Sequence, residues 1–222
     1  ELNGVFKQVM ANMQSHDLYS PDPGSIGRRS LKNLCLGYLS LLEDAEIHQL
    51  CYDQYADTDN MTDRMAALAC LVHNRLPGYP EALAAFYHRF HDDPLVVDKW
   101  FSLQATAPGP ETLDHVRELM THPAFTMRNP NRVRSLIGAF AHGNPACFHD
   151  PSGAGYAFVA DRVLELDPIN PQVAARMLAP LSRWKRYRQR QQKLMSDQLE
   201  RIRRCAGLSN DVGEIVEKSL LS

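Results

Sequence analysis

Apolar residues recur at intervals of three and four along most of the chain, the spacing of an amphipathic helix. Residues 2–13 set Leu2, Val5, Phe6, Val9, Met10 and Met13 on one face. After the break Ser20-Pro21-Asp22-Pro23-Gly24 the spacing resumes from Ile26 to Leu42, and behind Asp44 the positions Ala45, Ile47, Leu50, Cys51 and Tyr55 mark a third helix. Asn60, with Asp63 three residues on, reads as a capped start for a fourth, whose stripe is Met61, Met65, Leu68, Leu71 and Val72 up to Arg75. Pro77-Gly78-Tyr79-Pro80 stops it. Further helices are predicted from Glu81 to His91, from Pro94 through Ala105, and then over 112–120, 132–142, 156–166, 171–181 and 182–205. No run alternates with a period of two between Asn-Gly or Asp-Gly turns, so strands are not expected. The pattern predicts an all-α fold, a superhelical array of antiparallel helix pairs of the HEAT-like α-solenoid kind. A compact irregular bundle is the alternative, because no strict repeat period is visible.

Three of these helices open with the same grammar. Asp93-Pro94, Asn129-Pro130 and Asn170-Pro171 each place an N-cap side chain before a proline at the first helical position. Arg134 follows Pro130 by four residues and Arg176 follows Pro171 by five, so each helix raises a long cation from its early turns. Gln172 and Arg176 are i and i+4 and share one face, beside a terminus whose free N–H groups favour an anion. The group could hold a peptide unit or a carboxylate. The same spacing also suits ordinary ion pairs from Arg134 and Arg176 to Asp or Glu on neighbouring helices.

A chain of 222 residues, 44% hydrophobic and 23% charged, is long enough to bury a core. Its net charge of −2 provides no overall field to recruit nucleic acid or an acidic membrane, and no apolar run reaches the length of a membrane span. The five cysteines, Cys35, Cys51, Cys70, Cys147 and Cys205, are odd in number, widely spaced and free of any CxxC pair. They read as free thiols of a reducing compartment, the cytoplasm. Between Ser182 and Cys205 lie nine cations, Arg183, Lys185, Arg186, Arg188, Arg190, Lys193, Arg201, Arg203 and Arg204, with Trp184 and Tyr187 among them. This stretch could grip RNA or DNA, but a solvated face pairing with nearby acids is the simpler expectation.

Catalytic signatures are missing. No HExxH, P-loop, GxSxG or GxGxxG string occurs, and Gly153-Ala154-Gly155 follows no strand. His88 and His91 beside Asp92 and Asp93 form a two-imidazole pair without an evident third ligand, and His149 near Cys147 is a weak candidate for a thiol nucleophile. Neither is taken as a metal or catalytic site. The chain begins at Glu1, inside helical spacing, which suggests a fragment cut from a longer protein or a processed one.

Five ordered strings carry a family resemblance: Gly27-Arg28-Arg29-Ser30-Leu31-Lys32-Asn33, Asn60-Met61-Thr62-Asp63-Arg64-Met65-Ala66-Ala67-Leu68, Asp93-Pro94-Leu95-Val96-Val97-Asp98-Lys99-Trp100-Phe101, Asn129-Pro130-Asn131-Arg132-Val133-Arg134 and Asn170-Pro171-Gln172-Val173-Ala174. In this order, across essentially the whole chain, they resemble the C-terminal region of the bacterial aminopeptidase N family, zinc-dependent alanyl aminopeptidases of the gluzincin kind. The resemblance implies that residues 1–222 form a single C-terminal helical domain that covers a thermolysin-like catalytic domain of the same polypeptide and closes its substrate chamber. It implies zinc in the full-length enzyme, none in this part, and no catalysis by this part alone. Carried over residue by residue, it puts Gln172 and Arg176 toward bound peptide, with Arg134 at the chamber wall. The alternative function is a free-standing HEAT-like adaptor for a protein or nucleic acid. Circular dichroism of the chain should give a helix-dominated spectrum; a substantial sheet signal would contradict the reading.

Overall fold

The computed structural model describes residues 2–15 and 18–221, and among them there are helices and turns but no strand. All five cysteines are free thiols. The chain divides into two compact units, Glu1–Phe90 and His91–Ser222.

The first unit holds α1 (Leu2–Met13), α2 (Pro23–Leu39), α3 (Ala45–Asp57), α4 (Met61–His73) and α5 (Tyr79–Phe90). The predicted caps form. The Asp44 carboxylate accepts from the Glu46 amide at 2.9 Å and the Asn60 side chain from the Asp63 amide at 2.9 Å. A further cap lies inside the segment predicted to be a loop: Asp22 accepts from the Ser25 amide at 3.0 Å, Pro23 takes the first position, and α2 begins three residues before Ile26. Similarly α5 starts at Tyr79, within the predicted stop. Apolar stripes then pair the helices, α1 with α2 and α3 with α4, and α2 lies on α4. Leu36, Leu39, Ile47, Cys51, Leu68, Leu71 and Phe86 are almost fully buried between them. One ion pair is enclosed here, Lys32 Nζ donating to Asp63 at 2.6 Å.

The second unit holds α6 (Pro94–Ala105), α7 (Thr112–Leu119), α8 (Pro130–Val133), a π-helical turn over Arg134–Gly138, α9 (Ala139–Gly143), α10 (Pro145–Phe148), α11 (Ala154–Leu166), α12 (Pro171–Met177), α13 (Ala179–Ser182), a 3-10 turn over Trp184–Arg186, α14 (Gln189–Arg203) and α15 (Asn210–Leu221). Its core gathers Phe101, Val116, Leu136, Phe140, Tyr156, Val163, Leu199 and Val216, none of them accessible to solvent. Helix α12 rests on α11 and α15, and α14 packs against both of those helices. α15 and the short α10 fall outside the helices read from the periodicity.

The long helix predicted over 182–205 is not continuous. Tyr187 is extended, with φ −103° and ψ 177°, and Arg188 follows at ψ 157°, so α14 begins only at Gln189. No glycine or proline marks this break; tertiary contacts make it. Trp184 Nε1 donates to the Ser219 carbonyl at 2.8 Å, drawing the 3-10 turn onto α15. The Tyr187 ring lies 4.3 Å from that of His149. Gln192 Nε2 then donates to the carbonyls of Lys185 at 3.1 Å and Tyr187 at 3.0 Å, satisfying groups that the lost helical turn leaves open.

The Gly153-Ala154-Gly155 string has a packing role. Gly153 adopts φ +76°, and a Cβ on Gly155 would stand 2.7 Å from the Phe148 carbonyl oxygen and 2.9 Å from its Cα, so α11 starts flush against the backbone of α10. Gly155→Ala should destabilise the chain by about 1–3 kcal/mol through overpacking. Gly213→Ala, on α15 with nothing within 4 Å of the new Cβ, should raise stability by about 0.5–1 kcal/mol. Urea denaturation of the two variants checks the contrast, and equal shifts would contradict it.

Candidate functional site

The seven-residue helix α12 places two of the three residues singled out above. Asn170, at φ −153° and ψ 88°, accepts from the Val173 amide at 3.2 Å, and Pro171 sets the first turn. Ala174 and Met177 point inward and are buried. The opposite face is therefore outward, and it carries Gln172 and Arg176, both exposed. Among the described residues neither side chain forms a hydrogen bond or an ion pair. The support beneath comes from a contact that sequence periodicity did not reveal. Asp167, buried at the end of α11, accepts from the Ser209 amide at 2.9 Å and from its hydroxyl, and the Ser209 hydroxyl in turn accepts from the Val212 amide at 3.3 Å. This clamp starts α15 beside α11 and so fixes the floor on which α12 rests.

Arg134 sits at the head of the π-helical turn. Asn129 accepts from the Asn131 amide at 2.9 Å, Pro130 follows, and the Ala139 amide reaches back to the Arg134 carbonyl, five residues away. The extra residue lets Leu136, Ile137 and Phe140 all reach the core. Arg134 itself is exposed and donates to Asn131 of its own helix start. The structural ion pair belongs instead to Arg132, two residues earlier. Its guanidinium is buried against Asp98 and donates to the carbonyls of Pro94 at 2.8 Å and Ala124 at 2.9 Å. Ser135 completes the group by donating to Asp98 at 3.2 Å. A shared neighbour connects the two halves of the site. Were Gly138 given a Cβ, the Arg134 Cβ and the Met177 Sδ would each lie 3.8 Å from it, so the Arg134 turn and the end of α12 adjoin.

The other sequence candidates are taken up by packing or by solvent. The Cys147 thiol donates to the Gly109 carbonyl at 3.0 Å, whereas His149 Nδ1 lies 2.9 Å from the Tyr156 hydroxyl, so the thiol and imidazole do not form a nucleophilic pair. His91 lies 3.4 Å from Asp92. No three or more His, Cys, Asp or Glu among the described residues are grouped to hold a metal ion, and these residues do not fit a zinc seat. The nine cations are divided by the break at Tyr187, and several are paired: Lys193 with Asp197 at 3.0 Å, Arg201 with Asp161 at 2.7 Å and Arg203 with Glu200 at 2.7 Å. No helix among the described residues is long and apolar enough to cross a membrane.

A family model described as a domain of unknown function (DUF3458_C) with ARM repeats matches residues 1–221. The chain is 42% identical over 221 residues to aminopeptidase N of Caulobacter vibrioides, spanning 99% of this chain and 25% of that protein. It is 42% identical over 210 residues to aminopeptidase N of Escherichia coli, spanning 95% of this chain and 24% of that protein. Against the crystal structure of Legionella pneumophila aminopeptidase A in complex with aspartic acid the TM-score is 0.90 at 32% identity, covering 99% of this chain and 26% of that one. The chain thus spans about a quarter of the length of these relatives.

His149 carries a testable consequence of this geometry. Burial holds its imidazole below the ordinary range, and burial together with Tyr187 pushes the Tyr156 hydroxyl up to about 12. A neutral ring with its proton on Nε2 accepts from that hydroxyl, and a second proton removes the acceptor. The unfolded chain takes up its proton near pH ~6.5 and the folded chain only below that, so this group's contribution is complete above the unfolded value and falls as pH drops through it. Urea midpoints measured from pH 8 to pH 5 should decline less steeply for His149→Gln, which retains an acceptor without titrating. Identical pH slopes would contradict the assignment.

Proposed function

We infer, because the chain belongs to the DUF3458_C family of ARM-repeat domains and is the C-terminal helical domain of an aminopeptidase, that it serves a zinc metallo-aminopeptidase that removes N-terminal residues from peptides. In this reading its 222 residues act as one HEAT-like domain that covers the catalytic domain of the same polypeptide and narrows access to the substrate chamber. Zinc and the hydrolytic groups lie in that catalytic domain, and the present residues bind, orient and enclose. The five free thiols support a cytoplasmic setting. No membrane or nucleic-acid partner is invoked: the basic stretch between Arg183 and Arg204 is split by an extended segment and partly paired.

The observation that supports this reading is the division of labour between neighbouring arginines. Arg132 makes the buried ion pair, while Gln172 and Arg176 stand exposed, with side chains unpaired among the described residues, on a capped helix whose other face is fixed in the core. Holding two such groups outward at fixed spacing suits a peptide: Gln offers a donor and an acceptor to a peptide unit, and Arg offers a planar fork to a carboxylate or carbonyls. Arg134 adds a second cation near the end of the same helix. The contacts would fall on the part of the substrate beyond the scissile bond, so they act by positioning.

In the complete enzyme, Arg176→Ala should lower kcat/KM for tetrapeptides by about ten- to a hundredfold, the loss of a charge-assisted hydrogen bond of roughly 1.5–3 kcal/mol, and leave single-residue amides nearly unchanged. Steady-state kinetics on both substrates beside thermal unfolding decide the role. Equal losses on both, with a lowered Tm, would make Arg176 a packing residue and overturn the substrate contact.

A further inference from the structure

The first unit contains a cavity of about 540 Å³ that the reading of Gln172, Arg176 and Arg134 does not use. α2 forms one wall and contributes Arg28, Arg29 and Lys32, which helical spacing sets on one side. α3 also lines it and contributes Asp53 and Asp57, again i and i+4. Asp63, at the start of α4, lies at the floor. There the Lys32–Asp63 pair, at 2.6 Å with side-chain exposures of 8% and 5%, neutralises its own charges.

Among the described residues, the charges of α2 and α3 that line the cavity do not pair with one another. Among the described residues Arg28 donates to the Ser25 hydroxyl at 2.7 Å, and Arg29 donates to the Ser20 carbonyl at 2.9 Å while its guanidinium stacks over Tyr19. Asp53 accepts from Gln49 at 2.8 Å, and Asp57 makes no ion pair with any described residue. Each arginine thus retains free N–H groups and each carboxylate free lone pairs. Lys32, buried at the cavity floor, uses one of its three donors. Counting Asp59, the described residues of the lining include three cations and four carboxylates. That near balance disfavours a polyanion or a polycation, and the separation of signs onto two different helices favours a ligand carrying both.

We propose that this cavity binds the zwitterion of a short peptide, its terminal carboxylate held by Arg28 and Arg29 and its terminal ammonium by Asp53 and Asp57. The volume lies within the roughly 300–1,000 Å³ of small-ligand pockets. Opposite charges at the two ends of the ligand then occupy positions that the walls leave unpaired, and the apolar lining of Met10, Met13 and Leu50 receives the side chains. The proposal is independent of the substrate role assigned to α12, which belongs to the other compact unit.

Calorimetric titration of the 222-residue chain at low ionic strength with L-alanyl-L-alanine tests it. Saturable binding is expected, with about a tenfold or greater loss on blocking either end as the N-acetyl dipeptide or the dipeptide amide. Arg29→Gln should abolish the discrimination against the amide, and Asp57→Asn that against the N-acetyl form; Arg29 is half-buried and Asp57 exposed, and unchanged circular dichroism verifies the fold. The absence of saturable binding, equal affinity for the blocked dipeptides, equal or tighter binding of inorganic phosphate, or discrimination that survives both substitutions would overturn the proposal.

Discussion

The chain depends on one small interaction repeated in both units: a short polar side chain, followed by proline, that accepts a hydrogen bond from the first turn of the helix it begins. Asp22-Pro23, Asp93-Pro94, Asn129-Pro130, Asn144-Pro145 and Asn170-Pro171 all make it. Proline fixes φ where its missing N–H costs nothing, and the side chain satisfies an otherwise open amide. Each cap contributes about 0.5–2 kcal/mol, modest beside core burial, but it determines the residue at which the helix starts and therefore which face turns inward. At Asn144 the amide group extends further, donating to the carbonyls of Ala105 at 3.1 Å and Ala107 at 2.9 Å, so a single side chain ends one helix and begins another.

Phase set this way separates packing residues from displayed ones. After Asn129, Arg132 turns inward to Asp98 while Arg134 turns out. After Asn170, Ala174 and Met177 turn inward while Gln172 and Arg176 turn out. Removing one partner of a buried ion pair costs about 3–5 kcal/mol, whereas exposed substitutions stay within about 0.5 kcal/mol, so the two classes answer to different constraints. The π-helical turn over Arg134–Gly138 serves the same end. One inserted residue re-aims the helix so that Arg134 remains outside while Leu136, Ile137 and Phe140 reach the core.

Much of this was legible in the sequence because it is local. Three- and four-residue spacing located most helices, and the caps at Asp44, Asn60, Asp93, Asn129 and Asn170 lie where the side chains announced them. Asp22-Pro23 carried the same signal but was masked by a neighbouring proline and glycine, and α2 starts there. Contacts distant in sequence were not legible. The break at Tyr187 requires Trp184 on Ser219 and Tyr187 on His149, and no residue of the 182–189 stretch disfavours helix. The floor under α12 requires the Asp167–Ser209 clamp, whose members are 42 residues apart. Likewise, the opposed charges of the α2–α3 cavity are ordinary surface charges in sequence and acquire their arrangement only when the helices fold together.

Display of the α12 face to substrate is the claim on which the functional account rests, and proximity tests it directly. Photoreactive benzoylphenylalanine in place of Gln172 in the complete enzyme should, on irradiation, attach covalently to a radiolabelled pentapeptide, and excess unlabelled peptide should suppress the adduct. The same group at Lys193, on α14, should give none. Labelling from position 172 that is absent, or that matches position 193 and resists competition, would contradict the account.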